Sequence, residues 1–301
     1  MAMNKVAVFG QSYSVSAVKE VNNLLDALIE KNVEVQIEAS FFEKLRAENV
    51  ISTDFPTYSS FEDLDNSFDL MFTIGGDGTI LRAVTFIRDL DIPILGINTG
   101  RLGFLATINK NSIQENVQLI ADSKFEVQER SLLEVNLNPS FSGLNELNFA
   151  LNEVTIARKN TTSMIGVKTS LNGEYLTNYW SDGLIIATPT GSTGYSLSCN
   201  GPVISPDSKN LVITPIAPHN LNARPMVIAD DTEIKLEVSS REKEYLISLD
   251  SRIISVPENT EVNIRKASFS IKTIIPQNQS FLKTLRSKLL WGEDTRNENN
   301  L

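Results

Sequence analysis

The chain of 301 residues is 41% hydrophobic and 21% charged, which fits a globular protein with a packed core and one large or two ordinary domains. A net charge of −10 argues against a nucleic-acid or anionic-membrane surface, so any bound polyphosphate must be met by local cations, main-chain amides or metal ions. One cysteine, Cys199, and one histidine, His219, exclude an internal disulfide, a cysteine-rich zinc site and any site built on two histidines, which leaves acid–base work mainly to carboxylates. Met1-Ala2-Met3-Asn4-Lys5 has no signal-peptide pattern, and no apolar run approaches the ~18 residues of a membrane span, so a cytoplasmic protein is expected.

Val6 to Phe9 read as a first strand, closed by Gly10 and a polar loop. Val18, Val21, Leu25 and Leu28 share one face of a helix expected from about Val15 to Lys31, and Val33, Val35 and Ile37 alternate as the next strand. Ser40-Phe41-Phe42-Glu43 has capping-box spacing and predicts a short helix; residues 50 to 67 read as polar and irregular. Leu70 to Ile74 is a buried strand, and Ile80, Leu81, Val84 and Ile87 mark the helix after it. Ile92 to Ile97 is the following strand, and Ser112-Ile113-Gln114-Glu115 opens a helix to about Ala121. This alternation predicts an open parallel sheet, in which ligands lie beyond the carboxyl ends of strands.

Gly75-Gly76-Asp77-Gly78 fills one such end. Its glycines permit positive φ and close approach to the backbone, and the helix start offers unpaired amides to an anion. A carboxylate among anion-binding amides does not serve to attract phosphate; taking a proton from a hydroxyl or helping to hold a metal ion suits it better. The combination points to phosphoryl transfer to an alcohol, although the tetrapeptide alone equally fits a turn whose aspartate merely caps the helix. Gly96 to Leu105 is a second glycine-rich turn, with Arg101 in it, expected to face the same crevice as Asp77. Neither the G-x-G-x-x-G spacing after Gly10 nor a G-x-x-x-x-G-K-[ST] loop is present.

From Phe125 the texture becomes short β-branched or alternating runs: 132 to 137, 149 to 157, 165 to 171, 184 to 188, 211 to 216, 234 to 238, 246 to 249 and 268 to 275. Asn172-Gly173 is a hairpin signal between two of them. Leu184 to Thr188 runs into Pro189-Thr190-Gly191-Ser192-Thr193-Gly194-Tyr195-Ser196-Leu197-Ser198, a turn whose hydroxyls can serve ribose, adenine or phosphate and whose Tyr195 offers an aromatic face; such turns also occur as plain loops. Phe281, Leu282, Leu285, Leu289 and Leu290 form a last amphipathic helix, followed from Glu293 by a polar tail.

Gly75-Gly76-Asp77-Gly78-Thr79, Asn98-x-Gly-x-Leu-Gly-Phe-Leu105, Leu151-Asn152-Glu153-Val154, Ser181-Asp182-Gly183, the stretch from Thr188 to Ser198 with Gly201-Pro202, and Thr214 to Leu221 with Arg224-Pro225, in this order, resemble the NAD kinases over roughly residues 5 to 290. The resemblance implies an α/β N-terminal domain with an open, mostly parallel, Rossmann-like sheet (residues 1–125 and 278–301), an all-β, NAD-binding C-terminal domain (126–277), and a final helix packing back on the first. It implies transfer of phosphate from ATP to the adenosine ribose 2′-hydroxyl of NAD, giving NADP, with a divalent cation, Mg²⁺ or Mn²⁺, whose ligands stay unassigned. Asp77 matches the family's proton acceptor. Gly78, Arg82, Asn152, Glu153, Asp182, Thr193, Gly194, Tyr195, Ser196, Leu197, Ser198 and Ala217 fall on nucleotide-binding positions, with Gly75, Gly76 and Arg101 as phosphate-binding candidates. Asn152 can read an adenine edge, Glu153 and Asp182 can accept from ribose or carboxamide, and Arg82 can neutralise phosphate. The chain departs from the family pattern with Trp180 where many members carry a basic residue, Gly194 for a common alanine, and Arg252, an additional candidate, for a frequent glutamine. A homodimer or homotetramer is implied, with no nucleic acid or membrane partner. A related-fold lipid or sugar kinase and a non-catalytic NAD(P) sensor are the rival readings.

Overall fold

The computed structural model describes residues 3–10, 18–100, 102–144, 146–159, 163–220 and 222–291. The chain divides into two compact units, Met1–Glu129 with Ile271–Leu301, and Arg130–Ser270.

The first unit opens with β1 (Lys5–Gly10), α1 (Val18–Ile29), β2 (Glu34–Glu38), α2 (Ala39–Ala47), β3 (Thr57–Tyr58), β4 (Leu70–Gly75), α3 (Asp77–Ile87), β5 (Ile94–Asn98), β6 (Ile108–Asn109) and α4 (Ile113–Ala121). The loop expected after Gly10 and a helix start at Val15 lie outside the described residues. The strands run in the order β3-β2-β1-β4-β5, all parallel, with β6 added to β5. Every residue of β4 is buried, which is why its sequence is apolar apart from Thr73 rather than alternating: a parallel strand is covered on both faces. Ile80, Ala83, Val84 and Ile87 bury one stripe of α3, while Leu24, Leu28, Ile37, Phe41, Phe72 and Ile97 share the unit's core.

Two helix starts differ from the capping-box expectation. At α2 the cap is Glu38, the last residue of β2, whose buried carboxylate accepts from the amides of Ser40 (3.1 Å) and Phe41 (2.8 Å) and from the Ser40 hydroxyl. A full charge facing the positive end of a helix is a stronger acceptor than a hydroxyl, so Ser40 becomes a donor and the cap lies two residues earlier, at Glu38. At α4, Ser112 occupies the cap position but its hydroxyl donates to the Asn109 carbonyl (3.0 Å), and Asn109 caps a preceding 3₁₀ turn, Lys110–Ser112. Residues 50 to 67, read as irregular, hold β3 and a 3₁₀ turn at Phe61–Asp63.

The chain leaves the first unit within β7 (Phe125–Asn138). The second unit continues with β8 (Phe149–Ala150), β9 (Glu153–Arg158), β10 (Ile165–Leu171), β11 (Glu174–Ser181), β12 (Gly183–Ala187), α5 (Tyr195–Ser198), β13 (Asn210–Ile216), β14 (Met226–Ala229), β15 (Ile234–Ser239), β16 (Glu244–Leu249) and β17 (Arg252–Pro257). The return runs through β18 (Glu261–Pro276) to α6 (Phe281–Leu289), which belongs to the first unit and sets Phe281 against Phe104, ring centroids 6.3 Å apart.

One antiparallel sheet of the second unit has the order β14-β13-β12-β9-β16-β17, and β11, β10, β15 and the first half of β18 pair antiparallel beside a core that includes Val154, Ile156, Val167, Leu184, Ile186, Leu236 and Tyr245. Asn172 and Gly173 both take positive φ, 49° and 83°, in the β10–β11 hairpin that their sequence predicts. The run 149 to 157, read as one strand, is two: Leu151 and Asn152 break it.

Glu38→Ala removes three acceptor contacts from the start of α2 and is expected to lower the unfolding free energy in urea by about 1–2 kcal/mol, with Ser40→Ala costing about 0.5 kcal/mol or less. Equal losses would contradict the assignment of the cap to Glu38.

Candidate active site

In the first unit the site is built where β4 passes into α3. Gly75 has φ +154°, and a Cβ there would overlap the Thr79 hydroxyl; Gly76 and Gly78 are exposed, with open space where a side chain would stand. Gly76 therefore caps α3 with no side chain and leaves its first amides open to an anion. Asp77, half-buried at the first position of the helix, does not cap it. Its carboxylate reaches across to the loop after β5: Oδ2 accepts from the Phe104 amide (2.9 Å), and Oδ1 from those of Leu105 (3.1 Å) and Ala106 (2.9 Å).

The two glycine-rich turns of this unit are thus joined through one side chain. Gly103 makes the approach feasible, since a Cβ there would overlap the Asp77 carboxylate, and Asn98 at the end of β5 shapes the same loop by accepting from the Gly100 amide (2.8 Å). Phe104 is backed by α6 through Phe281 and through Lys288, whose ammonium lies 4.9 Å from the ring centre. Arg82 lies on the exposed side of α3, and Arg101 is outside the described residues.

In the second unit the break at Leu151-Asn152 is held by a residue that the sequence does not advertise. Asp250, at φ 52° between β16 and β17, accepts from the amides of Leu151 (2.9 Å), Asn152 (2.8 Å) and Glu153 (3.2 Å). From the other side the Thr188 hydroxyl donates to the Leu151 carbonyl (2.6 Å) and the Thr188 amide to the Asn152 carbonyl (2.9 Å). Gly191 abuts Asn152 so closely that a Cβ would overlap its carbonyl, and at Gly194 a Cβ would stand 2.9 Å from Glu153 Oε2.

Two acceptors are left over in this frame: Asn152 Oδ1 and Glu153 Oε2 are buried and have no hydrogen-bond partner. Burial first, and the neighbouring Asp250 charge second, push the Glu153 carboxyl up to about 7 against the opposing pull of the Tyr195 amide. Burial likewise raises Asp250, against its three amide bonds and Arg252.

The stretch read as a hydroxyl-rich turn is helical, a 3₁₀ turn at Thr190–Thr193 followed by α5. Most of its hydroxyls serve the fold. Ser192 Oγ donates to the Pro189 carbonyl (2.7 Å) and accepts from the Ile204 amide (3.0 Å), Ser196 Oγ pairs with Thr214 Oγ1 (2.9 Å), and Thr193 Oγ1 donates to Thr190 (3.2 Å). Tyr195 and Ser198 are exposed and Leu197 is half-buried.

Asp182, between β11 and β12, pairs with Arg158 (3.0 Å), a partner that no motif indicates. Ala217 takes φ 44° just beyond β13, and the His219 amide donates to the Trp180 carbonyl (2.8 Å) while the Trp180 ring stays exposed. Arg252 is turned inward: its guanidinium donates to the Leu147 and Phe149 carbonyls and stacks 5.3 Å from the Phe149 ring, so its charge is spent within the β-rich unit.

Among the described residues no three His, Cys, Asp or Glu side chains cluster to hold a metal ion. Mg²⁺ commonly takes one or two carboxylates plus substrate phosphates rather than a protein cage, and the chemistry of this donor set fits an ion carried in on a nucleotide.

A parallel α/β unit whose strand ends carry an anion-ready glycine turn, with a β-rich unit presenting the adjacent buried unpartnered acceptors of Asn152 and Glu153, defines a nucleotide-using protein. Residues 6–125 match the family model of the ATP-NAD kinase N-terminal domain, and residues 151–275 that of the ATP-NAD kinase C-terminal domain. The NAD kinase of Christiangramia forsetii is 56% identical over 97% of this chain and 100% of its own, and that of Flavobacterium psychrophilum 53% over the same shares. Among solved structures, an Archaeoglobus fulgidus NAD kinase in complex with ATP superposes with a TM-score of 0.74 at 26% identity, covering 95% of this chain and 98% of that one. Yeast NADH kinase complexed with NADH shares the fold, with a TM-score of 0.86 at 24% identity over 98% and 90% of the two chains. The chain belongs to the NAD kinase family.

Gly103→Ala is expected to push the Asp77 carboxylate off its three amides and to lower kcat for NADP formation at least about a hundredfold, the scale of losing a positioned proton acceptor. Steady-state assay of the variant checks this; turnover within threefold of wild type would show that the close approach is not needed.

Proposed function

We propose that this chain transfers the γ-phosphoryl group of ATP to the 2′-hydroxyl of the adenosine ribose of NAD, giving NADP and ADP, with Asp77 as proton acceptor. The observation that carries the reading is the Asp77 carboxylate, held by three successive amides at the end of β4 beside exposed glycines. A carboxylate offers about four lone-pair sites. Two on Oδ1 and one on Oδ2 are filled by amides, so one on Oδ2 remains for a substrate hydroxyl.

Fixing the carboxylate supplies orientation, and proton transfer in the transition state adds roughly 10² to 10⁴ in rate. Gly75, Gly76 and Gly78 leave the α3 amides open to phosphate oxygens, with Arg82 and Arg101 as further phosphate contacts. On the second unit, Asn152 and Glu153 supply acceptors to the dinucleotide, while Asp182, Gly194, Tyr195, Ser198 and Ala217 complete its contacts; Thr193, Ser196 and Leu197 support the shape of that surface. A divalent cation, Mg²⁺ or Mn²⁺, bound with the ATP phosphates would supply neutralisation of their charge.

The rival readings, a related-fold lipid or sugar kinase and a non-catalytic NAD(P) sensor, give way to the family matches over both parts of the chain. The working form is a homodimer or homotetramer in the cytoplasm. Exposed Tyr175, Trp180, Met226 and Val227 supply apolar surface for self-association, and no helix among the described residues is long and apolar enough to cross a membrane.

Purified protein given NAD, ATP and Mg²⁺ should form NADP, read through an NADP-specific dehydrogenase. Asp77→Asn should still bind NAD and should turn over at least about a hundredfold more slowly. The amide substitution also leaves at least one of the three main-chain N–H groups facing an NH₂ group, so a thermal melt and an NAD titration accompany the assay. Near-normal turnover in a folded variant would remove Asp77 from the role of base.

A further inference from the structure

Asp250 lies outside the motifs quoted for the family resemblance, yet the Asn152–Glu153 segment is held by it. Its carboxylate takes three consecutive amides, from Leu151 to Glu153, and its own amide returns a bond to the Glu153 carbonyl (3.0 Å), so the two chain segments are tied in both directions. The turn that carries it is itself fixed: Ser248 Oγ donates to the Asp250 carbonyl (2.7 Å), and Arg252 anchors the next strand to the Leu147 and Phe149 carbonyls.

The result of this grip is a pair of adjacent side chains whose oxygens, Asn152 Oδ1 and Glu153 Oε2, are buried without a partner. An unsatisfied buried acceptor costs on the order of 1–3 kcal/mol. Free to move, the segment would turn these oxygens to water or to a neighbouring amide; gripped at three amides and packed against Gly191, it holds them in place, and Gly194 puts no side chain over Glu153 Oε2.

We propose that Asp250 is the positioning residue of the nucleotide site: it fixes the Leu151–Glu153 main chain so that Asn152 and Glu153 meet the hydrogen-bond donors of NAD, and its charge acts directly on the Glu153 carboxyl. This rests on the NAD kinase reading above. The groups facing Glu153 are Asp250 from the β16–β17 turn and the amide and ring of Tyr195 from α5; Asp182 and Cys199 act on the same tyrosine, and Arg252 partly offsets Asp250. With its carboxyl poised at about 7, Glu153 is ionised above that pH, where it accepts more strongly from the ligand. NAD affinity therefore rises as pH increases through about 7.

Two variants separate the two halves of the role. Asp250→Asn is close in size and removes the like charge, while leaving at least one of the three amides facing an NH₂ group, so the Glu153 carboxyl, followed by carbon-13 NMR in the ligand-free protein, should titrate about one pH unit lower than in wild type. Asp250→Glu keeps the charge and displaces the carboxylate by one methylene; its dissociation constant for NAD by calorimetry should rise at least tenfold, with kcat at saturating NAD within threefold of wild type. An unmoved Glu153 titration in Asp250→Asn, or wild-type NAD affinity in Asp250→Glu, would overturn the proposal. If Asp250→Asn gives no cooperative melt, Asp250→Glu decides alone. Failure of the wild type to bind NAD would instead fault the reading of the activity, because the ligand-free titration does not depend on it.

Discussion

A carboxylate that accepts from three successive main-chain amides is the interaction on which both parts of this molecule depend. Asp77 does this for Phe104, Leu105 and Ala106, and Asp250 for Leu151, Asn152 and Glu153. Loops are where a chain most often leaves its amides to water. Here the amides of two irregular segments are satisfied by charge, and hydrogen bonds to a charged group stabilise by roughly 1.5–3 kcal/mol, about twice a neutral one. Each segment gains the rigidity of a strand without being one. That allows atoms meant for a ligand to stand on a loop and still be fixed.

The two grips differ in what they leave over. At Asp77 the holding group is itself the proposed proton acceptor, half-buried, with a lone pair to spare. At Asp250, also half-buried, the atoms proposed to meet the ligand belong to the residues that it holds. Glycine is needed around both for the same steric reason: Gly103 lets a carboxylate come down on the backbone, and Gly191 lets the helical turn after β12 come down on Asn152. The hydroxyls of Thr188, Ser192 and Ser196 then lock that turn internally, which explains why a stretch so rich in donors presents few of them outward.

Much of this was legible in the sequence, and the rest was hidden for definite reasons. The strands β4 and β12 show as runs that are apolar but for Thr73 and end in glycine or a hydroxyl cluster, because both are buried on each face, and the Asn172-Gly173 hairpin shows because its two positive φ angles select those residues. The long strands β7 and β18 read short, since their exposed stretches, with charged residues such as Glu126 and Arg265, carry no apolar signal. Helix caps were misread where a charged residue outside the capping-box pattern, Glu38, outcompeted a serine. Asp77 is singled out by its local pattern, but its three partners lie 27 to 29 residues away and those of Asp250 97 to 99 residues away, and no period or spacing encodes such pairings. Arg158 at Asp182 and the inward turn of Arg252 were missed for the same reason.

The central claim is that the oxygen left unfilled on a triply held Asp77 receives the proton of the substrate hydroxyl. Its most direct test is a crystal structure of the protein with NAD and a non-hydrolysable ATP analogue, in which the distance from the Asp77 carboxylate to the adenosine ribose 2′-oxygen is measured. The account predicts about 2.6–3.2 Å to Oδ2, with the three amide bonds intact. A 2′-oxygen in contact with a different carboxylate, and out of hydrogen-bond reach of Asp77, would contradict it.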